Sequence, residues 1–310
     1  MKMYPVLCVL AVILSGCATR STHEIAPAGG LAFQALAIES AVCKTNRAAK
    51  LLRNLVDKTE VAIERSGCDL QSTNTLVIID RTIFASGFRL KKADKPIATL
   101  TRSLSKKHLD CSDLTFIYLE AAERCGIDLK VAYAPRHVFV VLPLPDRQVF
   151  WETTSGRERA YQAYAKDIED RAAITNGTYL SATEPNEILS EAYLEAGVVA
   201  KLRRDYRLAE SLFRRSVERR PRNVLGWAAL SCIDICQGRY AEAIPLAQES
   251  SRLDPGYSQA YHFLGGAYLK LDRKAEAETA FERAIALDPE DEAAVLAYIS
   301  LTLEKDHKAK

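Results

Sequence analysis

After its first fourteen residues the sequence contains no long apolar run, so nothing in the remainder is suited to span a bilayer. Charge of either sign is not in excess: 42 basic against 40 acidic side chains, a formal net charge of +2, argues against a nucleic-acid partner. Metal-ligand patterns are missing as well. Cys232 and Cys236 stand four apart on one helix face, but their neighbourhood supplies no second pair of ligands, and they read as small core residues. The eight cysteines do not pair off either. Cys8 falls in the leader, Cys17 ends it and Cys111 has a separate reading. Cys43, Cys68, Cys125, Cys232 and Cys236 then remain, an odd set in which a Cys43–Cys68 bridge stays open. What is present is a chain of 310 residues, 48% hydrophobic and 26% charged, the composition of a soluble globular protein of about two domains.

Lys2 gives a short positive start, Val6 to Leu14 is an apolar stretch too short to cross a bilayer, and Leu14-Ser15-Gly16-Cys17 closes it with small residues before a cysteine. This resembles a bacterial lipoprotein signal. The resemblance implies removal of residues 1–16, acylation of Cys17 and anchoring of the chain to a membrane. Ala18 follows where an Asp would favour inner-membrane retention, so the expected address is the outer membrane, facing the periplasm. Residues 17–30, rich in Thr, Ala and Gly, read as a tether.

The body divides in two. Residues 31–173 combine helical spacing over Leu31 to Gly67 and Leu76 to Phe88 with a later helix and short strands, an α+β domain of helices plus a small antiparallel sheet. Residues 174–187, with Asn176-Gly177 and Glu184-Pro185, read as a connector. In residues 188–305, Pro221, Pro255 and Pro289 recur every 34 residues. Tyr261, Leu264, Gly265, Tyr268, Ala277, Phe281 and Ala284 precede the last of them; Trp227, Leu230 and Ala243 precede the second, with Ser231 and Asp234 where Gly and Tyr are usual; Tyr193, Gly197, Ala209 and Phe213 precede the first. These residues resemble the tetratricopeptide pattern, which implies an all-α solenoid of three repeats with a solvating capping helix from Glu290 to Lys305. In that family the first helix of each repeat lines the concave face. Leu194, Val198, Leu225, Ala228, Cys232, Ile235, His262 and Leu269 then form a largely apolar groove for a segment of a protein partner or of the chain's own first domain.

Asp110 is a candidate N-cap for a helix that ends at Gly126, and Cys111 stands at its head. A thiol there feels the helix N-terminus, which favours thiolate. His137 opens a strand, and Glu152 lies directly opposite or diagonally across the following hairpin, according to whether its turn centres on Leu144-Pro145 or on Pro145-Asp146. The run from Cys111-Ser112-Asp113 through Tyr118 to Ile127, then His137-Val138-Phe139-Val140 and Trp151-Glu152-Thr153-Thr154, resembles the core of bacterial transglutaminase-like proteins over Leu76 to Gly156. That family implies a papain-like Cys-His-acid site at Cys111, His137 and Glu152, with Glu152 in place of the commoner Asp.

Two functions follow. One is a cysteine hydrolase or acyl transferase acting on peptide or protein amides through a thioester, with no cofactor and no metal. The alternative is a non-catalytic scaffold or assembly lipoprotein in which both parts bind protein.

Overall fold

The computed structural model describes residues 30–91, 99–168 and 171–308, with side chains to Leu303. The leader, Cys17 and all but the last residue of the tether lie outside the described residues.

The centre of the first domain is α5 (Cys111–Cys125). Its first turn is closed by a capping box, with Asp110 accepting from the Asp113 amide and Asp113 accepting from the Asp110 amide, and Gly126 ends it in a left-handed conformation. Leu114 to Ala122 are buried without a break, because helices surround it on one side and a sheet covers the other. The helices are α1 (Leu31–Glu39), α2 (Asn46–Ser66), α3 (Thr73–Ala85) and α4 (Leu100–Lys106). Two short parallel strands, β1 (Arg89–Leu90) and β2 (His108–Leu109), join the ends of α3 and α4.

The covering sheet is an antiparallel meander of β3 (Lys130–Ala134), β4 (His137–Pro143), β5 (Gln148–Glu152) and β6 (Arg157–Glu158). Pro143 pairs with Gln148 and Val140 with Trp151. The hairpin therefore turns on Pro145-Asp146, the longer of the two expected connections, and His137 and Glu152 are diagonal neighbours on one face. Two short helices, α6 (Tyr161–Lys166) and α7 (Ala172–Thr175), complete the domain.

Residues 174–187 are not a loose connector. Leu180 N–H donates to Tyr133 O at 2.8 Å, and Val131 and Thr183 exchange backbone hydrogen bonds, so the segment runs along the free edge of β3. The other side of the segment holds the repeats: Asn176 Nδ2 donates to Leu253 O at 3.0 Å, and Tyr179 donates to Asp254 at 2.8 Å. Buried Arg220 secures the same junction, with its guanidinium 3.4 Å from the Tyr133 ring centroid and one amine donating to Thr178 O at 2.8 Å.

The repeats are three helix pairs: α8 (Leu189–Leu202) with α9 (Tyr206–Arg219), α10 (Val224–Cys236) with α11 (Tyr240–Leu253), and α12 (Ser258–Lys270) with α13 (Lys274–Leu287). A Cβ on Gly197 would stand 2.4 Å from the Phe213 ring, and one on Gly265 2.7 Å from the Phe281 ring. Each aromatic thus needs a glycine on the facing helix. In the second repeat the corresponding positions hold Ser231 and Ala247, a larger residue against a smaller one, and Ser231 donates to Ala243 O at 2.9 Å. Asp234, in place of the usual Tyr, pairs with Arg239.

The capping helix α14 (Glu292–Lys308) corrects the expectation of a solvating face. Leu296, Ile299 and Leu303 are 67%, 45% and 56% exposed and fall three or four residues apart. Cys43, Cys68, Cys111, Cys125, Cys232 and Cys236 are all free thiols, so the Cys43–Cys68 bridge is not formed.

Candidate functional site

The strand that begins at His137 lies across the head of α5. Thr115 bridges the two elements, donating to Cys111 O at 2.8 Å and lying 3.5 Å from Val138 O. The sulfur of Cys111 is within reach of the Val138 backbone amide, one residue beyond His137. His137 Nε2 lies 2.7 Å from Glu152 Oε2. The three residues expected from the sequence therefore belong to one neighbourhood.

Glu152 is well held. Tyr164 donates to Oε2 at 3.0 Å, and the Thr154 amide and hydroxyl donate to Oε1 at 3.1 and 2.7 Å. Burial acts to raise its pKa, but the bond and charge of His137 and the two bonds from Thr154 outweigh it and hold the carboxyl at about 2. An ionised Glu152 accepts only, so Nε2 of His137 donates in this bond. The imidazole is flanked by Phe139 and Tyr164, with ring centroids at 5.8 and 6.3 Å. Tyr164 was not visible as a site residue in the sequence. It follows Glu152 by twelve residues, on the separate helix α6, with no motif to link them. An open cavity of about 530 Å³ lies on the acid side, lined by Glu152, Thr154, Arg157 and Arg159 among others.

The thiol departs from expectation. Burial pushes Cys111 up to about 12, with Asp110, Glu191 and Asp113 acting in the same direction and the Val138 amide opposing them. A helix N-terminus contributes only about 0.3–1 kcal/mol, under one pKa unit, and cannot offset burial among carboxylates. Two nearby acids come from the first repeat. Ser112 donates to Glu195 Oε1 at 3.0 Å, and Glu191 acts on Cys111 from the same helix, α8. Burial and the carboxylates around the head of α5 thus oppose formation of a thiolate at Cys111.

The predicted groove divides into two zones. Leu194 and Ala228 are 4% and 2% exposed and form interior, not floor. Val42, with half-buried Ile38 and Cys43, packs in one cluster with Leu194, Val198 and Leu225, so the chain's own segment after α1 covers the first repeat. Cys232, Ile235, His262 and Leu269 remain half-exposed further along. His262 Nδ1 lies 2.8 Å from Asp291 Oδ2, at the entry to α14. Among the described residues no group of His, Cys, Asp and Glu is arranged to hold a metal ion.

These features define a helical-repeat protein with a docked α+β domain. Residues 235–301 match the family model described as tetratricopeptide repeat. Curated relatives include heat shock protein STI1 of Saccharomyces cerevisiae, 29% identical over 109 residues, 34% of this chain and 18% of the relative. DnaJ homolog subfamily C member 7 of Homo sapiens is 28% identical over 125 residues, 38% of this chain and 25% of the relative. The chain thus spans a quarter or less of the length of these relatives. Among solved structures, the Arabidopsis OM64 TPR domain is 22% identical at a TM-score of 0.37, covering 37% of this chain and 96% of its own. The Sgt2 TPR domain of Aspergillus fumigatus is 20% identical at a TM-score of 0.37, covering 39% of this chain and 81% of its own.

Proposed function

We propose that this chain is an assembly protein that holds a protein partner on the half of its repeat groove left open by its own first domain. Tetratricopeptide repeats present extended concave surfaces suited to protein segments. The observation that carries the reading is the packing of Ile38, Val42 and Cys43 against Leu194, Val198 and Leu225. The first repeat already receives an apolar segment there, and the groove continues past it through Ile235 and Leu269. A partner segment of the same character would extend that packing. Replacing Ile235 and Leu269 together by Arg tests this, since both side chains are partly exposed at the margins of two repeat cores. The double variant should keep the helical circular dichroism of the wild type and lose its bound partner; a folded variant with unchanged partner content would refute the reading.

A second reading is favoured by one observation, the 2.7 Å bond between His137 and Glu152 beside the head of α5. Here Cys111 attacks an amide carbonyl while Nδ1 of His137 takes the thiol proton. The imidazolium, paired with ionised Glu152, then protonates the leaving amine, and water or a second amine resolves the thioester. With Cys111 neutral at rest, proton transfer accompanies attack instead of preceding it. An electrophilic acyl probe labelling Cys111 in the native chain but not in His137→Ala would support this reading. Labelling that is absent or independent of His137 would oppose it. In either reading the Leu14 to Cys17 motif supports a lipid anchor at the outer membrane. Cys17→Ser should then release the chain from the membrane fraction.

A further inference from the structure

The open half of the groove contains a sulfur and a cation that the binding role does not require. Cys232, half-buried on α10, receives a hydrogen bond from Lys201 Nζ of α8 at 3.7 Å. Cys236 stands one turn further along α10, on the same face as Cys232. Cys111, by contrast, is surrounded by carboxylates.

We infer that Cys232 is a modification site, where thiol–disulfide exchange with a small disulfide leaves a stable mixed disulfide in the groove. The Cys232 thiolate attacks one sulfur of the disulfide, the S–S bond breaks as a new one forms, and the other half departs as a thiolate that takes up a proton from water. Cys232 is oxidised and the departing sulfur is reduced. The Lys201 ammonium and the Cys236 S–H stabilise the attacking anion, so Cys236 acts as a donor. Residues four apart on a helix hold their Cβ atoms about 5–6 Å apart, whereas a disulfide needs about 3.5–4.5 Å. Cys236 therefore cannot displace the adduct without unwinding α10, and the adduct persists until an external thiol removes it.

The charge environment agrees with the geometry. The hydrogen bond from Cys236 and the charge and hydrogen bond of Lys201, with a smaller contribution from His262, outweigh burial and bring Cys232 down to about 6. Cys236 moves the other way, as the donor of the pair should.

The test uses the full chain and oxidised glutathione from pH 5 to 9, with adducts located by peptide mass mapping. Cys232 should take one glutathione with a rate midpoint well below the ordinary thiol value of about 8.5. Lys201→Met should move that midpoint up by about one pH unit or more, and Lys201→Arg should restore it. A low thiol pKa also weakens the nucleophile, so the midpoint, not the maximal rate, is the informative quantity. A midpoint for Cys232 near the ordinary thiol value of about 8.5 would overturn the inference. So would a Cys232–Cys236 disulfide as the product, or a folded Lys201→Met chain with an unshifted midpoint. Circular dichroism establishes the folding of that variant; if it does not fold, the wild-type midpoint and product decide.

Discussion

Gly265 and Gly266 are neighbours in α12 with opposite surroundings. A Cβ on Gly265 would stand 2.7 Å from the Phe281 ring, whereas one on Gly266 would meet nothing within 4 Å. Alanine at either position gains helix propensity, about 1 kcal/mol. At Gly265 that gain is set against overpacking of about 1–3 kcal/mol, so Gly265→Ala should lower stability and Gly266→Ala should raise it by about 0.5–1 kcal/mol. Denaturant titration of the two single variants checks the difference in sign. Glu39 gives a second prediction at this scale. Its carboxylate accepts from the Leu100 and Thr101 amides at 2.7 and 2.8 Å, yet burial, the largest influence, raises its pKa to about 7. A carboxyl raised in the folded state contributes stability below its unfolded value, near 4.5, and loses it as pH rises through about 7. Up to about 3 kcal/mol is at stake. Unfolding measured from pH 5 to 8 should therefore show stability falling with pH, and Glu39→Gln should flatten that slope. Glu152, held at about 2, contributes in the opposite sense, and its share is lost only in acid below its unfolded value.

At the scale of elements, α5 and the β4–β5 hairpin were legible because each carries its own signals. Asp110 and Gly126 bound the helix, and Pro143 to Asp146 turn the strands. The register was less legible, since two turn positions gave two pairings and only packing chose between them. Helix α4 and strands β1, β2 and β6 went unread, because seven or two residues do not establish a period. The edge pairing of residues 180–183 is set by the exposed side of β3, which no local pattern encodes. The upward shift of the Cys111 thiol has a similar origin. Helix position was visible in the sequence, but Glu191 and Glu195 reach α5 only through the docking of α8. Asp110→Asn separates the two roles of the cap, because the amide oxygen can still accept from Asp113 N while the negative charge is removed. Alkylation of Cys111 should then show a lower rate midpoint than in the wild type, measured across alkaline pH. An unchanged midpoint would mean that Asp110 does not contribute to holding the thiol neutral.

Over the whole molecule, the 34-residue period was readable because proline, glycine and aromatic positions repeat, and the Gly-Phe pairs explain which departures are tolerated. The union of the two parts was readable only as one of two occupants of the groove, and the residues that make it were not. Arg220, Tyr179 and the Ile38 to Cys43 segment each look like surface or linker residues until both partners are in place. That union divides the groove into a zone covered by the chain itself and a zone left open. Photo-crosslinking residues placed singly at Val198, Ile235 and Leu269, in cells that produce the chain, measure this division most directly. Val198 should give a crosslink within the chain, and Ile235 and Leu269 a saturable adduct with one separate protein. Crosslinks confined to the chain at all three positions, or an intermolecular adduct from Val198 alone, would contradict it.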